Sequence, residues 1–206
     1  MPNVYEEFQG FDSLYIAEVT QDDAAGFTTS LPEILAPAGE ISRSTETPSA
    51  VKYYDNIPFM VVTAEGSDTI NLTVPALPIS LVAKLLGKVI HTATGALLDT
   101  GVTKAKYFAI GYRLRFTDDT YRYVWRLKGT FAINQEEAKS QDDTTDTNNQ
   151  QLIYTGIKTK FKFTMPDASK SGGKSVVVDE RDDKADVADW FAQVVTPDTL
   201  ATITVI

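Results

Sequence analysis

KYFAIGYRLRFTDDTYRYVWRLKGTFAIN, residues 106–134, is two runs of alternating side chains around an acidic turn. Phe108, Ile110, Tyr112, Leu114 and Phe116 alternate with Tyr107, Ala109, Gly111, Arg113 and Arg115. After the turn, Tyr121, Tyr123, Trp125, Leu127, Phe131 and Ile133 alternate with Arg122, Val124, Arg126, Lys128 and Thr130. A period of two belongs to extended chain, so the stretch predicts an antiparallel hairpin. A two-residue turn at Asp118-Asp119 would oppose Phe116 to Tyr121, Leu114 to Tyr123, Tyr112 to Trp125 and Ile110 to Leu127. The same register sets Arg115 against Arg122, a destabilising like-charge pair. Asp-Asp is a poorer type I′ pair than Asp-Gly, so a longer turn also fits.

The basic face of this hairpin organises the rest of the reading. A further strand is expected over 152–164, where Lys158, Lys160 and Lys162 alternate with Phe161 and Phe163. If it joins the hairpin, one sheet face carries up to eight bases and needs an anionic cover. Three segments offer one: 1–48 with nine acids and one base, 134–151 with five and one, and 179–198 with seven and two. Arg113, Arg115, Arg122, Arg126 and Lys128 are therefore expected to face acidic protein, in the same chain or a neighbour. Glu136, Glu137, Asp142, Asp143 and Asp146 of the polar loop are candidate partners. Joint charge reversal at Arg115 and Arg122 is expected to block folding or assembly.

The other elements follow from punctuation and periodicity. Residues 1–12 read as an acidic arm and 13–20 as the first strand, with strands at 40–45, 50–54, 57–64 and 68–74. Ile79, Val82, Ala83 and Leu86 predict a short helix over 78–87 with Gly87 as its C′ residue. Residues 134–151 form a long loop without a large apolar side chain, a length that tends to be functional. Residues 166–183 read as a linker. Val187, Trp190, Phe191 and Val194 place an amphipathic helix at 184–195, which Pro197 stops, and 199–206 as a last strand. The expected fold is mainly β, an antiparallel sandwich or partial barrel over 1–165, with one flanking helix and a C-terminal helix packed on the same domain.

Composition removes most chemistries. The 206 residues include no Cys and one His, carry a net charge of −9, and are 43% hydrophobic. Thiolate catalysis, disulfides and zinc-finger sites are excluded, and the acidity disfavours nucleic-acid binding. KSGGK at 170–174 lacks the phosphate-loop spacing. His91 has no nucleophile elbow to serve. Asp142, Asp146 and Asn148 lack the Gly and the Glu of a calcium loop, Ile153 standing at the twelfth position. The acidic run Asp179, Glu180, Asp182, Asp183 reads as a solvated cluster, and the sequon at Asn71 carries no weight alone. No enzyme activity, cofactor or metal is expected. No apolar run reaches the roughly 18 residues of a membrane span, and the start has no basic and apolar leader pattern.

The order of these parts resembles the major tail tube protein of long, non-contractile-tailed (siphovirus-type) phages of Gram-positive bacteria. The resemblance rests on Tyr53-Tyr54-Asp55-Asn56, the strand pair 57–74, the helix 79–87 ending in Gly, and GALLD at 95–99. It continues through the aromatic and basic hairpin, the polar loop 134–151, a closing strand and a late Asp189-Trp190-Phe191 segment. It implies a structural virion protein whose hexameric rings stack into a tube. DNA passes through on ejection without specific binding, and the partners are other copies, the tape measure, the tail tip and the terminator. An acidic wall suits such a conduit, since phosphate binding would hold the cargo. The alternatives are a terminator or neck protein of related fold, which closes at one ring, and a monomeric β-sandwich binding module.

Overall fold

A computed structural model describes residues 5–101, 106–133 and 149–203. In chain order the strands are β1 (Phe8–Asp22), β2 (Phe27–Thr29), β3 (Glu33–Ile34), β4 (Glu40–Thr45), β5 (Ser49–Tyr54), β6 (Ile57–Thr63) and β7 (Asp68–Val74). Helix α1 (Ile79–Leu86) follows, then β8 (Val89–Ile90), β9 (Leu97–Leu98), β10 (Phe108–Phe116), β11 (Tyr121–Ala132) and β12 (Gln150–Gly156). Short strands β13 (Phe163–Thr164) and β14 (Lys170–Ser171) precede β15 (Ser175–Asp179). The protein is mainly β, antiparallel and sandwich-like.

The main sheet runs β2-β1-β10-β11-β12-β7-β4, and β15 also pairs with β11. Strand β11 serves two partners along one edge: β15 on Arg122–Arg126 and β12 on Gly129–Ala132. The sheet therefore forks at β11, and the β12-β7-β4 limb folds over the β1-β10-β11 limb. Between them lies the first core, including Ile16, Ile70, Leu72, Phe108, Ile110, Leu152 and Tyr154. Helix α1 turns Ala83 and Leu85 inward, while Ile79, expected on its buried stripe, is 55% exposed. Gly87 ends it at φ 65°, as expected of a left-handed cap.

The hairpin β10–β11 forms with a register one residue away from the expected one. Leu114 opposes Arg122 and Arg115 opposes Tyr121. The turn holds three residues, with Phe116 and Thr120 closing it and Asp119 left-handed at φ 67°. This is the three-residue loop with a left-handed last position. A bulge then lets Leu127 and Lys128 occupy the space facing Ala109, so the expected register survives only at Phe108↔Gly129. The shift places Trp125 directly across from Gly111. A Cβ on Gly111 would lie 2.8 Å from the Trp125 ring, so the glycine makes room for the indole. Gly111→Val is expected to cost about 1–3 kcal/mol by overpacking, read in urea unfolding with a blue-to-red change in tryptophan emission. A neutral substitution would mean that the indole is not held against this glycine.

Both faces of the hairpin are covered, which corrects the expectation of one apolar and one basic face. Ile110, Tyr112 and Val124 enter the first core, while Ala109, Tyr123, Trp125 and Leu127 enter a second. The lid of the second core is the C-terminal segment, through Trp190, Val194 and Val195. That segment is not the expected helix over 184–195 but a chain of turns, with Trp190 N–H donating to Val187 and Ala192 N–H to Asp189. Two competing bonds explain it. The Asp186 carboxylate takes the Ala188 N–H, and the Trp190 carbonyl takes the Trp125 indole N–H at 3.0 Å. Pro197–Ile203 is a 3-10 helix where the tail strand was expected. The expected linker 166–183 contributes β14 and the sheet strand β15. The strand expected over 152–164 stops at Gly156, so Lys158, Lys160 and Lys162 do not extend a basic sheet face.

Candidate assembly site

Strands β5 and β6 stand apart from the main sheet as a two-stranded ribbon. The bonds Glu46 N–H to Ser67 O, Gly66 N–H to Glu46 O and Ala64 N–H to Pro48 O join it to the β4–β7 ladder. The ribbon is thus a continuation of that ladder, reaching about 30 Å from Thr45 to Tyr54 at the rise of a strand. Asp55 (φ 51°) and Asn56 (φ 61°) close it, the two positive φ angles of a type I′ turn. The pairing of 57–64 is therefore with 49–54, and not with 68–74.

Nothing covers this ribbon among the described residues. Every residue of 49–63 is exposed, and eight of them are large hydrophobics at 45% exposure or more. They lie on both faces: Val51 opposes Val61, and Met60 sits opposite Lys52 beside Val62. Tyr54 and Phe59 meet edge to face at 5.3 Å near the tip. A bare two-stranded hairpin is marginal in water. Contiguous exposed apolar surface of this kind marks an interaction site.

An open groove of about 700 Å³ lies where β4 passes over the β1-β10-β11-β15 face. Phe8, Phe11, Ile41, Leu114 and Val177 supply apolar walls, and Arg43, Arg122 and Arg126 bring three guanidinium groups. Glu40 stands exposed at the rim. At the floor the buried Arg126 reaches Asp68 through Nη1 at 3.1 Å, while its buried Nε has no hydrogen-bond partner among the described residues.

The five candidate bases each have a carboxylate in their own chain. Arg113 pairs with Asp12 and Arg115 with Asp119. Arg122 reaches Asp179 at 2.9 Å, Arg126 reaches Asp68 at 3.1 Å and Lys128 reaches Asp22 at 2.5 Å. Arg115 and Arg122 lie on opposite faces of the hairpin, so they neither repel across a rung nor share one contact. Arginine and aromatic side chains also share faces, contrary to the expected segregation. Arg113 stacks 4.1 Å over Tyr121, and Arg122 lies 5.2 Å from both Phe8 and Phe116. Glu136, Glu137, Asp142, Asp143 and Asp146 lie outside the described residues.

Two hubs were not visible in sequence. Asp68, 1% exposed, receives Thr45, Arg43, Lys174 and Arg126 at the fork of the sheet. Asp22 receives Lys128 and the backbone N–H groups of Lys160 and Phe161, which ties the loop after β12 to β1. Burial would raise both carboxyls, but these donors outweigh it and hold them below the usual range. The hydrogen bonds from Arg181, opposed in part by burial and joined by Arg122, bring Asp179 to about 2. Depressed folded values stabilise the fold above the unfolded value and lose that effect on acidification. Stability is therefore expected to fall between about pH 4 and pH 2, by on the order of 2 kcal/mol from Asp179 alone. Urea unfolding at stepped pH measures it, and Asp179→Asn should flatten the slope.

Of the other sequence candidates, Asp142, Asp146 and Asn148 lie outside the described residues. His91 Nδ1 meets the Thr94 hydroxyl at 2.8 Å on the surface. Lys174 of KSGGK is spent on Glu65 and Asp68. Among the described residues no group of three or more His, Cys, Asp or Glu is placed to hold a metal, and no helix is long and apolar enough to cross a membrane. No protein-family model matches the chain, and no curated protein matches it significantly.

Proposed function

We propose that this protein is a self-assembling structural subunit, the tail tube protein of a long, non-contractile-tailed phage. Its copies close into rings, six-membered as the family resemblance implies, and the rings stack into a conduit for DNA. The observation that carries the assembly reading is the β5–β6 ribbon, apolar on both faces and held clear of the body. The intrachain pairing of the hairpin bases supports the conduit reading in turn, because bases that already hold carboxylates are poor phosphate traps.

The test is negative-stain electron microscopy of the purified protein across concentration and salt, with its solution mass. Stacked rings with a central channel are the expected result. Single rings that never stack would replace this reading by a terminator or neck role. A monomer that stays one in the presence of purified tail tips would overturn assembly altogether.

A further inference from the structure

We infer that the arginine-lined groove is the receptor for the tip of the β5–β6 ribbon of a second copy. This rests on the assembly proposed above and adds where the contact is made. The groove asks for an acceptor flanked by apolar side chains: Arg43 and Arg122 line it with guanidinium groups on partly exposed side chains, and its walls are Phe8, Ile41 and Val177. Arg43 and Arg126 have to share one carboxylate, Asp68, which also takes Lys174, itself paired in addition with Glu65.

The tip offers the matching group. Tyr54-Asp55-Asn56-Ile57 presents one carboxylate on a tight turn between an aromatic and a branched aliphatic side chain, Tyr54 59% and Ile57 66% exposed. Asp55 meets the guanidinium groups as a charge-assisted acceptor, and Tyr54 and Ile57 fill the apolar walls. Lys52, exposed behind the tip, offers a counter-charge to the exposed Glu40 at the rim. Both signs of charge are thus matched. The ribbon cannot reach its own groove, because Arg43 and Ile41 belong to the ladder from which it projects away. A contact between unlike surfaces of identical chains is heterologous, and it propagates into rings or filaments.

The absence of cysteine makes the test direct. Ile57→Cys with Val177→Cys in one full-length chain, oxidised during assembly, is expected to give a ladder of covalent multimers on a non-reducing gel. Ile57→Cys with Val89→Cys, an exposed site outside the groove, is expected to give none. Adding Asp55→Lys to the first pair is expected to slow the ladder about tenfold or more, as for loss of a hydrogen bond to a charged group. Tubes or rings without the 57–177 ladder would overturn this seating and leave assembly standing. A chain that stays monomeric by solution mass and does not cross-link would overturn both.

Discussion

Phe59→Asp together with Val61→Asp is expected to leave the protein folded and to abolish its assembly. The two side chains are 70% and 64% exposed in the isolated chain, so the body loses no packing when they change. Exposed substitutions usually move stability by about 0.5 kcal/mol or less. In an interface the balance reverses. Burying each of these side chains is worth about 1.5–3 kcal/mol, so losing both weakens each contact by roughly a hundred- to ten-thousand-fold, before the cost of burying two carboxylates. Sedimentation reads the assembly and urea unfolding the stability. Unchanged tubes would remove the ribbon from the interface. A large loss of stability would show that the ribbon is packed on the body after all.

Asp68→Asn is expected to have the opposite profile, unfolding the body at a cost of about 3–5 kcal/mol. Asp68 is 1% exposed and Arg126 7%. Its Oδ1 takes the Thr45 hydroxyl at 2.7 Å, with Arg43 and Lys174 at 3.2 Å, and its Oδ2 takes Arg126. The carboxylate therefore gathers cations from β4, from β11 and from the residue before β15, at the place where the sheet divides. Removing its charge leaves Arg126 buried without an anion. Replacing the pair by apolar groups of similar size, Asp68→Leu with Arg126→Met, should recover much of the loss, since a buried ion pair often gains little over such an exchange. A cost under about 1 kcal/mol for Asp68→Asn would show that the fork is held by its apolar core alone.

Much of the fold was legible because it is local. The alternation at 106–134 marked the central hairpin, the spacing before Gly87 marked α1, and the strands around 40–74 carried their own punctuation. What failed depended on partners. Strict alternation cannot reveal a three-residue turn and a bulge at Leu127-Lys128, and those two devices shift the register and redistribute the arginines over both faces. Val187, Trp190, Phe191 and Val194 keep helical spacing in a segment whose backbone bonds go to Asp186 and Trp125. Val176-Val177-Val178 is a β-branched run set in a stretch, 166–183, whose Ser, Gly, Lys and Asp content reads as linker. The ribbon was read as strands, yet Val51, Phe59 and Val62 look the same in sequence whether buried or bare. Only the folded chain shows that, among the described residues, the body of the protein does not cover them.

The ribbon's continuity with β4–β7 also decides how the chain bears load. A pull on the tip along the strands draws β4 and β7 the same way, and so acts lengthwise on the antiparallel rungs from Gln150↔Val74 to Gly156↔Asp68 that hold β7 to β12. Rungs loaded in that direction share the tension and must give way together, whereas a sideways peel would open them one at a time. At the rung nearest the ribbon, Asp68 also passes tension to β11 through Arg126, and so to the middle of the sheet. A chain gripped by its tip is therefore a tensile link anchored in the middle of its sheet.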